Sequence, residues 1–339
     1  TGFSVAEILL PAGISFYVFL SVSYLVDTYR RQLEAERNVV NILLSFSFFP
    51  IILAGPIQRP VSLLPQIRKS RVFEESLAKD GLRQILYGLT MKIVIADTCA
   101  PLANRVFDDP AGLSGSSLLA GAFFFAVQIY ADFAGYSHIA IGTGKLLGFR
   151  LMQNFAYPYF AKNIREFWQR WNISLTGWFR DYVFLPVAYA ISRKIRSDRF
   201  LGIRTDLIIY ASGIAVTWTL TGLWHGARFT FIVWGLLQGL LLVVHHLVAK
   251  PRKRLFKRNG ISDGWWPVRI LDHTAMAVII LVSWIFFRSN GPGEALLILG
   301  NIFSASRTTA PVVSGMNIPG LLPGLLAAFF LIEWLGRKK

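Results

Sequence analysis

Long apolar runs alternate with short polar or basic segments along most of the chain. A helix needs about 20 mostly apolar residues to cross a bilayer. Membrane-spanning helices are therefore predicted at the clearest runs, which are residues 7–25, 39–57, 117–130, 207–224, 227–248, 270–287 and 318–335. This pattern predicts an all-α protein that crosses a membrane several times.

Two further segments mix apolar residues with charge. Residues 81–99 include two basic side chains and Asp97, and residues 166–190 combine tryptophans and tyrosines with Arg170, Arg180 and Asp181. Charged side chains are costly against lipid and normally face protein or a water-filled space. We expect both segments to be helical, and we expect 166–190 to be partly buried in protein and to line something polar.

Composition fixes the class of protein. Hydrophobic residues make up 54% of the 339 residues and charged residues only 16%, which is more apolar surface than one soluble core can bury. The formal net charge is +16, but the basic residues lie in short segments between apolar runs. Such segments are typical of cytoplasmic loops next to anionic lipid, so no nucleic-acid site is predicted.

The basic clusters also predict the orientation. Residues 192–206, 250–258 and 337–339 are rich in Lys and Arg, and each is separated from the next by a pair of predicted spans. All three clusters are therefore predicted to be cytoplasmic. Residues 27–38 and 59–79 both carry charge and are separated by one apolar run. Either one of them is extracytoplasmic or the run between them is re-entrant.

No linker separates domains, so residues 1–339 are predicted to form a single membrane-embedded domain. The single cysteine, Cys99, excludes an internal disulfide framework. Since the chain begins with Thr1 and not with Met, we expect that its true start is missing.

His225 is the leading candidate for chemistry, because it lies between two long apolar runs. Ionisable groups at membrane depth are usually functional. Its neighbours Gly222 and Gly226 allow another backbone or a substrate to approach closely. A histidine hydrogen-bonded to a neighbouring helix remains the structural alternative. The other histidines, His138, His245, His246 and His273, are predicted to be structural or interfacial.

Asn172 is the second candidate. Its amide both donates and accepts hydrogen bonds, so it could orient an imidazole or polarise a carbonyl. An amide that holds two helices together is the alternative.

Two strings carry a family resemblance. FWQRWNISLTGWFRDYVFLP begins at Phe167, and GLWHGARFTFIVWGLLQG begins at Gly222. They resemble the membrane-bound O-acyltransferase (MBOAT) family, in its bacterial alginate O-acetylation and D-alanyl transferase branch. Supporting matches, in the family's order, are LPAGISFYVFLSVSYLVD from Leu10, FFPIILAGPIQRP from Phe48 and QIYADFAGYSHIAIGTGKLLGF from Gln128. The likeness covers about residues 10–288.

The resemblance implies a ring of transmembrane helices around a central tunnel. His225 matches the family's essential histidine. Asn172 matches a second polar position that is usually histidine in close bacterial relatives, so a proton-shuttling role there is not implied. The match begins where relatives have already crossed the membrane, so we expect early N-terminal helices to be missing.

The resemblance also implies an activity. An acyl group, with acetyl favoured, would pass from a cytoplasmic thioester such as acetyl-CoA or an acyl carrier to a hydroxyl of an extracytoplasmic polysaccharide. The transfer would be direct or would use a partner acetylase. His225 would be the general base, and Asn172 or a backbone N–H would stabilise the oxyanion. The residues expected to bind the donor are Lys162, Arg170, Trp171, Arg180 and Trp224. The alternative for each cation is a snorkelling or paired structural charge, and this alternative is favoured for Arg180 because Asp181 lies beside it.

No tightly bound cofactor and no metal are predicted, and the implied location is the bacterial cytoplasmic (inner) membrane. Alginate, cellulose, another exopolysaccharide, peptidoglycan and teichoic acid are all compatible acceptors, and an exopolysaccharide is favoured by likeness. The alternative is a transporter or flippase of a lipid or glycan precursor, which would also use buried polar residues. A structural membrane subunit is the third hypothesis, but it gives His225 and Asn172 no reason to lie at depth.

Overall fold

A computed structural model describes residues 13–304 and 320–337, and this part of the chain is mostly helical. Its α-helices are α1 (Ile14–Tyr29), α2 (Val39–Phe46), α3 (Pro60–Arg68), α4 (Glu75–Leu89), α5 (Asp97–Asp108), α6 (Gly115–Leu146), α7 (Ile164–Arg170), α8 (Ile173–Phe179), α9 (Leu185–Lys194), α10 (Thr205–His225), α11 (Phe229–Arg258), α12 (Trp266–Arg288), α13 (Pro292–Phe303) and α14 (Leu322–Gly336). Two π-helical segments, Thr90–Ala96 and Arg180–Phe184, join α4 to α5 and α8 to α9. A short hairpin pairs β1 (Arg199–Phe200) with β2 (Ile203–Arg204).

Five helical segments in the described ranges are long and apolar enough to cross a membrane. They are Glu75–Asp108, Gly115–Leu146, Thr205–His225, Phe229–Arg258 and Trp266–Arg288. Three of the last four contain the predicted spans 117–130, 207–224 and 270–287. Phe229–Arg258 contains the predicted span 227–248 except its first two residues, and the first segment contains the charged segment 81–99. The prediction of an all-α, multi-pass membrane protein is confirmed.

The predicted span at residues 39–57 is wrong. Helix α2 ends at Phe46, and turns follow through Gly55. Pro50 disfavours helical geometry at the residue before it and has no N–H to donate, and Pro56 repeats the effect. The predicted span 7–25 lies partly outside the described residues. Of the predicted span 318–335, residues 322–335 lie in α14, which has only 15 residues.

The segment 166–190 is helical, as predicted, but it is not one helix. Helix α7 ends at Arg170, and α8 begins at Ile173. Asn172 has a φ of +43°, in the left-handed region that an α-helix cannot accommodate. The chain therefore changes direction between Trp171 and Asn172, which the sequence pattern did not predict.

The described residues divide into two compact units. The first consists of residues 13–89 and 133–154. In this unit α4 packs on the second part of α6 through glycines. A Cβ atom placed on Gly81 would lie 2.8 Å from the Gly142 carbonyl oxygen, and one on Gly88 would lie 2.5 Å from the Gly135 oxygen. Such close approach of backbones is how small residues hold membrane helices together. The core of this unit includes Leu20, Phe48, Ile51, Leu63, Ile67 and Phe149.

The second unit consists of residues 90–132, 155–304 and 320–337. It contains α10 and α11, which pack closely along most of their lengths. A Cβ atom on Gly222 would lie 2.3 Å from the Phe231 carbonyl oxygen, and one on Gly235 would lie 2.2 Å from the Trp218 oxygen. Trp218 of α10 therefore meets Gly235 of α11, and Gly222, further along α10, meets Phe231, which comes earlier in α11. The two helices are thus antiparallel.

The basic clusters fall at one end of this helix pair. The hairpin of β1 and β2 leads directly into the start of α10, and residues 250–258 continue α11 as helix, where a loop was expected. Since α10 and α11 are antiparallel, these two basic segments lie at the same end. Arg252 forms a 2.8 Å ion pair with Asp272 of α12, which begins at that end too. This arrangement agrees with the predicted orientation, in which that end is cytoplasmic.

Candidate active site

His225 is the last residue of α10. Gly226 ends the helix with a φ of +149°, a conformation that favours glycine, and its N–H donates to the Leu223 carbonyl over 3.2 Å. A Cβ atom at Gly226 would also lie 3.0 Å from the Phe231 ring. The sequence therefore places the imidazole at a helix end that glycine alone accommodates without strain.

Four aromatic rings surround the half-buried imidazole of His225. The ring centroids of Trp224 and Phe287 lie 4.5 and 4.9 Å from it, and those of Trp234 and Phe231 lie 5.2 and 6.0 Å away. The Trp234 ring is perpendicular to the imidazole, at 90°. We call these four residues with His225 the histidine cage. Its walls are largely apolar.

The nitrogens of the His225 ring have no hydrogen-bond partner among residues 13–304 and 320–337. A structural histidine at this depth is expected to bond to a neighbouring helix. The cage therefore favours the catalytic over the structural hypothesis, because it orients the ring by packing and leaves its nitrogens available.

A buried polar network holds one wall of the cage. Ser283 of α12 accepts hydrogen bonds from Trp234 Nε1 at 3.0 Å and from Gln238 Nε2 at 2.7 Å. Gln238 in turn accepts from Trp168 Nε1 at 3.3 Å. Gln238 is 1% exposed and Ser283 is 5% exposed, so each bond is shielded from competing water. The network fixes Trp234 against His225 and ties α7, α11 and α12 together.

Asn172 lies at the break between α7 and α8. It is buried, and its carbonyl accepts hydrogen bonds from the Thr176 N–H and hydroxyl at 2.9 and 3.1 Å, which start α8. Its side-chain amide makes no hydrogen bond to any residue that the structure describes, including the first turn of α8. No described residue therefore supports the alternative in which this amide joins two helices. The amide is available to hydrogen-bond to a ligand.

A continuous set of aromatic rings leads from the neighbour of Asn172 to the histidine cage. Trp171 contacts Trp284 at a centroid distance of 4.9 Å, and Trp284 contacts Phe287 at 5.5 Å. Phe287 belongs to the cage. The two candidate catalytic residues are thus attached to one packed cluster, which restricts how far either can move.

Tyr159 supports the other side of Trp171. The two rings stack at 6.1 Å, and the Tyr159 hydroxyl donates to the Ala126 carbonyl of α6. Burial raises the pKa of Tyr159, so the phenol stays neutral and remains a donor. Trp171 is 5% exposed, which places most of its ring in the core of this unit.

The cations predicted to bind the donor fall into two groups. Lys162 and Arg170 line one cavity of about 230 Å³, together with Arg269, His273 and Arg337. Arg180 lies in the π-helical segment after α8, pairs with Asp181 at 2.8 Å and does not line this cavity. The structure brings Lys162 and Arg170 together and leaves Arg180 apart from them.

Residues 16–270 match the model of the family described as MBOAT, membrane-bound O-acyltransferase family. The chain belongs to this family. The match includes His225 and Asn172, and it confirms the resemblance that the motifs predicted.

Named relatives of this MBOAT chain come from several bacteria. It is 32% identical over 337 residues to "Probable alginate O-acetylase AlgI" of Pseudomonas syringae, an alignment that covers 99% of the chain and 60% of the relative. It is 30% identical to the peptidoglycan O-acetyltransferase of Helicobacter pylori, covering 88% of the chain and 57% of the relative. It is 27% identical to the teichoic acid D-alanyltransferase of Bacillus subtilis, an alignment that covers 81% of the chain and 66% of the relative. The chain thus spans about 60% of the length of the alginate O-acetylases that it matches.

Several residues of the MBOAT site were not predicted from the sequence. Gln238 and Ser283 support the cage, and Arg269, His273 and Arg337 line the basic cavity. Gln238 could have been found from the sequence, because it is the lone amide in a long apolar run and lies one helical turn after Trp234. The cavity residues carried none, because they lie far apart in sequence and resemble ordinary interfacial charges.

Proposed function

We propose that this MBOAT chain is an O-acyltransferase. It moves an acyl group, with acetyl favoured, from a cytoplasmic thioester donor to a hydroxyl of an extracytoplasmic polysaccharide, directly or through a partner protein that acylates the polymer. The observation that carries the proposal is the His225 imidazole, held by packing at the end of α10 with no hydrogen bond from the described residues to its nitrogens.

The chemistry follows from that geometry. A hydroxyl is a poor nucleophile, and neutral imidazole, with an ordinary pKa near about 6.5, is a suitable base for it. In the proposed step, His225 takes the hydroxyl proton as the oxygen attacks the thioester carbonyl carbon. The carbon–sulfur bond then breaks, and the departing sulfur receives the proton. The products are an ester and a free thiol, so no cofactor or metal is required.

The oxyanion that forms during attack needs a hydrogen-bond donor. The Asn172 amide suits this role because it is buried, has no partner among the described residues and sits at a sharp break. Donors that are already in place stabilise developing charge without rearranging during the reaction. Trp171 and Trp224 would pack against the acyl chain or the thioester arm, and Lys162 and Arg170 would face its charged end.

The acceptor and the acyl group are proposed from the relatives. The names of two relatives specify acetyl transfer, to alginate and to peptidoglycan, and a third specifies D-alanyl transfer to teichoic acid. The higher identity to the alginate O-acetylases favours acetyl and an exopolysaccharide. The bacterial cytoplasmic membrane is the proposed location, since the donor is made inside and the polymer lies outside.

A transfer assay distinguishes this proposal from a carrier. The purified protein in liposomes receives radiolabelled acetyl thioester outside and glycan inside, and the label on the glycan is counted. A transferase acylates the glycan, and His225→Ala abolishes the labelling. His246→Ala, in α11, removes a ring that stacks on Tyr210 and is expected to preserve the labelling. Movement of donor or glycan across the bilayer without label on the glycan would instead show a transporter.

A further inference from the structure

A basic cavity lies at one end of the second unit, away from the histidine cage. Six polar or charged residues line it: Lys162, Glu166, Arg170, Arg269, His273 and Arg337. They come from the segment around α7, from the first two turns of α12 and from the end of α14. Elements that are distant in sequence therefore converge to build it, which separates it from a chance cluster on one helix.

The charges in the cavity do not balance. Glu166 is its single acid, and it is already engaged, because it pairs with Arg170 at 2.5 Å and accepts the Lys162 backbone N–H at 2.8 Å. The side chains of Lys162, Arg269 and Arg337 have no carboxylate partner in the described part of the chain. Four cations against one anion leave a net charge of +3 with His273 neutral. Such a concentration of unpaired cations attracts an anion.

Two of the cations, Arg337 and Arg170, are oriented by contacts within the protein. The Arg337 guanidinium lies over the rings of Phe160 and Trp334, with distances of 5.4 and 4.7 Å to the ring centroids. Arg170 is oriented by its bond to Glu166 and by a longer contact of 3.4 Å to the Tyr157 carbonyl. Stacking and pairing restrict these side chains while leaving N–H groups unused, which favours bidentate binding of an oxyanion.

The position of the cavity indicates from which side a ligand enters. Arg269 and His273 lie in the first turns of α12, next to the Arg252–Asp272 ion pair that joins α12 to the basic end of α11. Arg337 lies just past the end of α14. This is the end that carries the basic clusters, and it is cytoplasmic by the charge rule.

We propose that this cavity binds a phosphate group presented from the cytoplasmic side. Its volume of about 230 Å³ is below the range of about 300–1,000 Å³ typical of sites for whole drug-sized ligands, so it suits the charged end of a longer molecule. Two molecules carry such an end: a phosphate-bearing thioester donor, which rests on the proposed acyltransferase function, and an anionic phospholipid of the inner leaflet.

The test measures phosphate binding directly, without relying on catalysis. The protein is purified in a neutral detergent, and binding of coenzyme A is compared with binding of pantetheine, which lacks phosphate. Native mass spectrometry of the same samples reports retained phosphatidylglycerol. The variants are Arg269→Gln, the charge-conserving Arg269→Lys and, as matched control, Arg199→Gln, an exposed arginine of the hairpin that does not line the cavity.

The donor hypothesis predicts that Arg269→Gln weakens coenzyme A binding about ten-fold or more and does not affect pantetheine. Arg269→Lys recovers much of that loss, and Arg199→Gln has no effect. If the phosphate belongs to a lipid, Arg269→Gln instead abolishes retention of phosphatidylglycerol and leaves coenzyme A binding unchanged. Thermal unfolding of Arg269→Lys and Arg269→Gln shows whether both variants are folded.

The proposal is overturned if Arg269→Gln changes neither ligand, or if Arg199→Gln lowers binding equally, since the effect would then come from general surface charge. The acyltransferase function can fail separately. If the protein binds coenzyme A through Arg269 but transfers no acyl group, the phosphate site is supported and the proposed acyltransferase function is not. His225→Ala is expected to show the converse, with binding intact and transfer lost.

Discussion

The indole ring of Trp234 meets the imidazole of His225 edge to face, with centroids 5.2 Å apart and planes at 90°. Trp234 is 1% exposed, and its Nε1 donates to Ser283 of the neighbouring helix. The orientation of the candidate base is therefore set by a ring that is itself anchored by a hydrogen bond. Ser283 thus supports the ring that packs against the imidazole.

Ser283→Ala tests this anchoring. The substitution leaves the Trp234 and Gln238 donors without their shared acceptor, and a buried unsatisfied group costs about 1–3 kcal/mol. We expect the free energy of unfolding in detergent to fall by that order and acyl transfer to slow by less than it does in His225→Ala. Ser192→Ala, which removes an exposed hydroxyl bonded to Tyr189, is the control and is expected to change neither quantity. Wild-type stability in Ser283→Ala would show that the network is not structurally important.

Two substitutions of Asn172 separate the contribution of its side-chain amide from that of its left-handed backbone conformation. Asn172→Gly and Asn172→Ala both remove the amide, and loss of an oxyanion donor typically slows a reaction about 10²–10³-fold. Only alanine is strained at a φ of +43°, by about 1–2 kcal/mol, so only Asn172→Ala is expected to unfold at a lower temperature. Rates and thermal unfolding are measured on the same samples. A wild-type rate in Asn172→Gly would mean that the residue serves the backbone turn alone.

The crossing of α10 and α11 predicts a contrast between two glycines. In Gly222→Ala, the new Cβ would lie 2.3 Å from the Phe231 carbonyl oxygen, so the helices must separate. Overpacking of this kind costs about 1–3 kcal/mol, and the shift would also displace His225, three residues away. We expect lower thermal stability and lower activity.

Gly239→Ala is the matched control for that crossing. On the same helix pair its Cβ would lie 3.4 Å from the Ile214 and Trp218 side chains, which is an ordinary contact. Its stability is expected to stay within about 0.5 kcal/mol of wild type. Equal unfolding temperatures for the two variants would contradict the close approach at Gly222.

The sequence was sufficient for the parts of the molecule that depend on local pattern. Four of the spans coincide with long helices because an apolar run of that length has few alternatives in a membrane. The run at 39–57 failed because hydropathy alone does not register Pro50 and Pro56, which stop the helix. The break at Asn172 was missed for a related reason, since asparagine adopts left-handed geometry at only some of its positions.

The remaining features could not be predicted from the sequence because they depend on contacts between residues that are far apart along the chain. His225 and Asn172 were identifiable as polar residues out of place among apolar ones. The support of Trp234 by Ser283, 49 positions later, depends on how α11 packs on α12. The same is true of the basic cavity, whose residues extend from Lys162 to Arg337. The predicted single domain, the ring of helices and its central tunnel stay predictions.

Chemical rescue tests the central claim, that the His225 imidazole is the base for acyl transfer. His225→Ala is expected to lower the transfer rate about 10²–10⁴-fold, the usual contribution of general acid–base catalysis. Because the histidine cage would then hold an imidazole-sized gap, added imidazole is predicted to restore transfer in proportion to its neutral form, and to leave wild type unchanged. A variant that keeps the wild-type rate, or one that folds but gains no activity from imidazole at any pH, would contradict the assignment of His225 as the base.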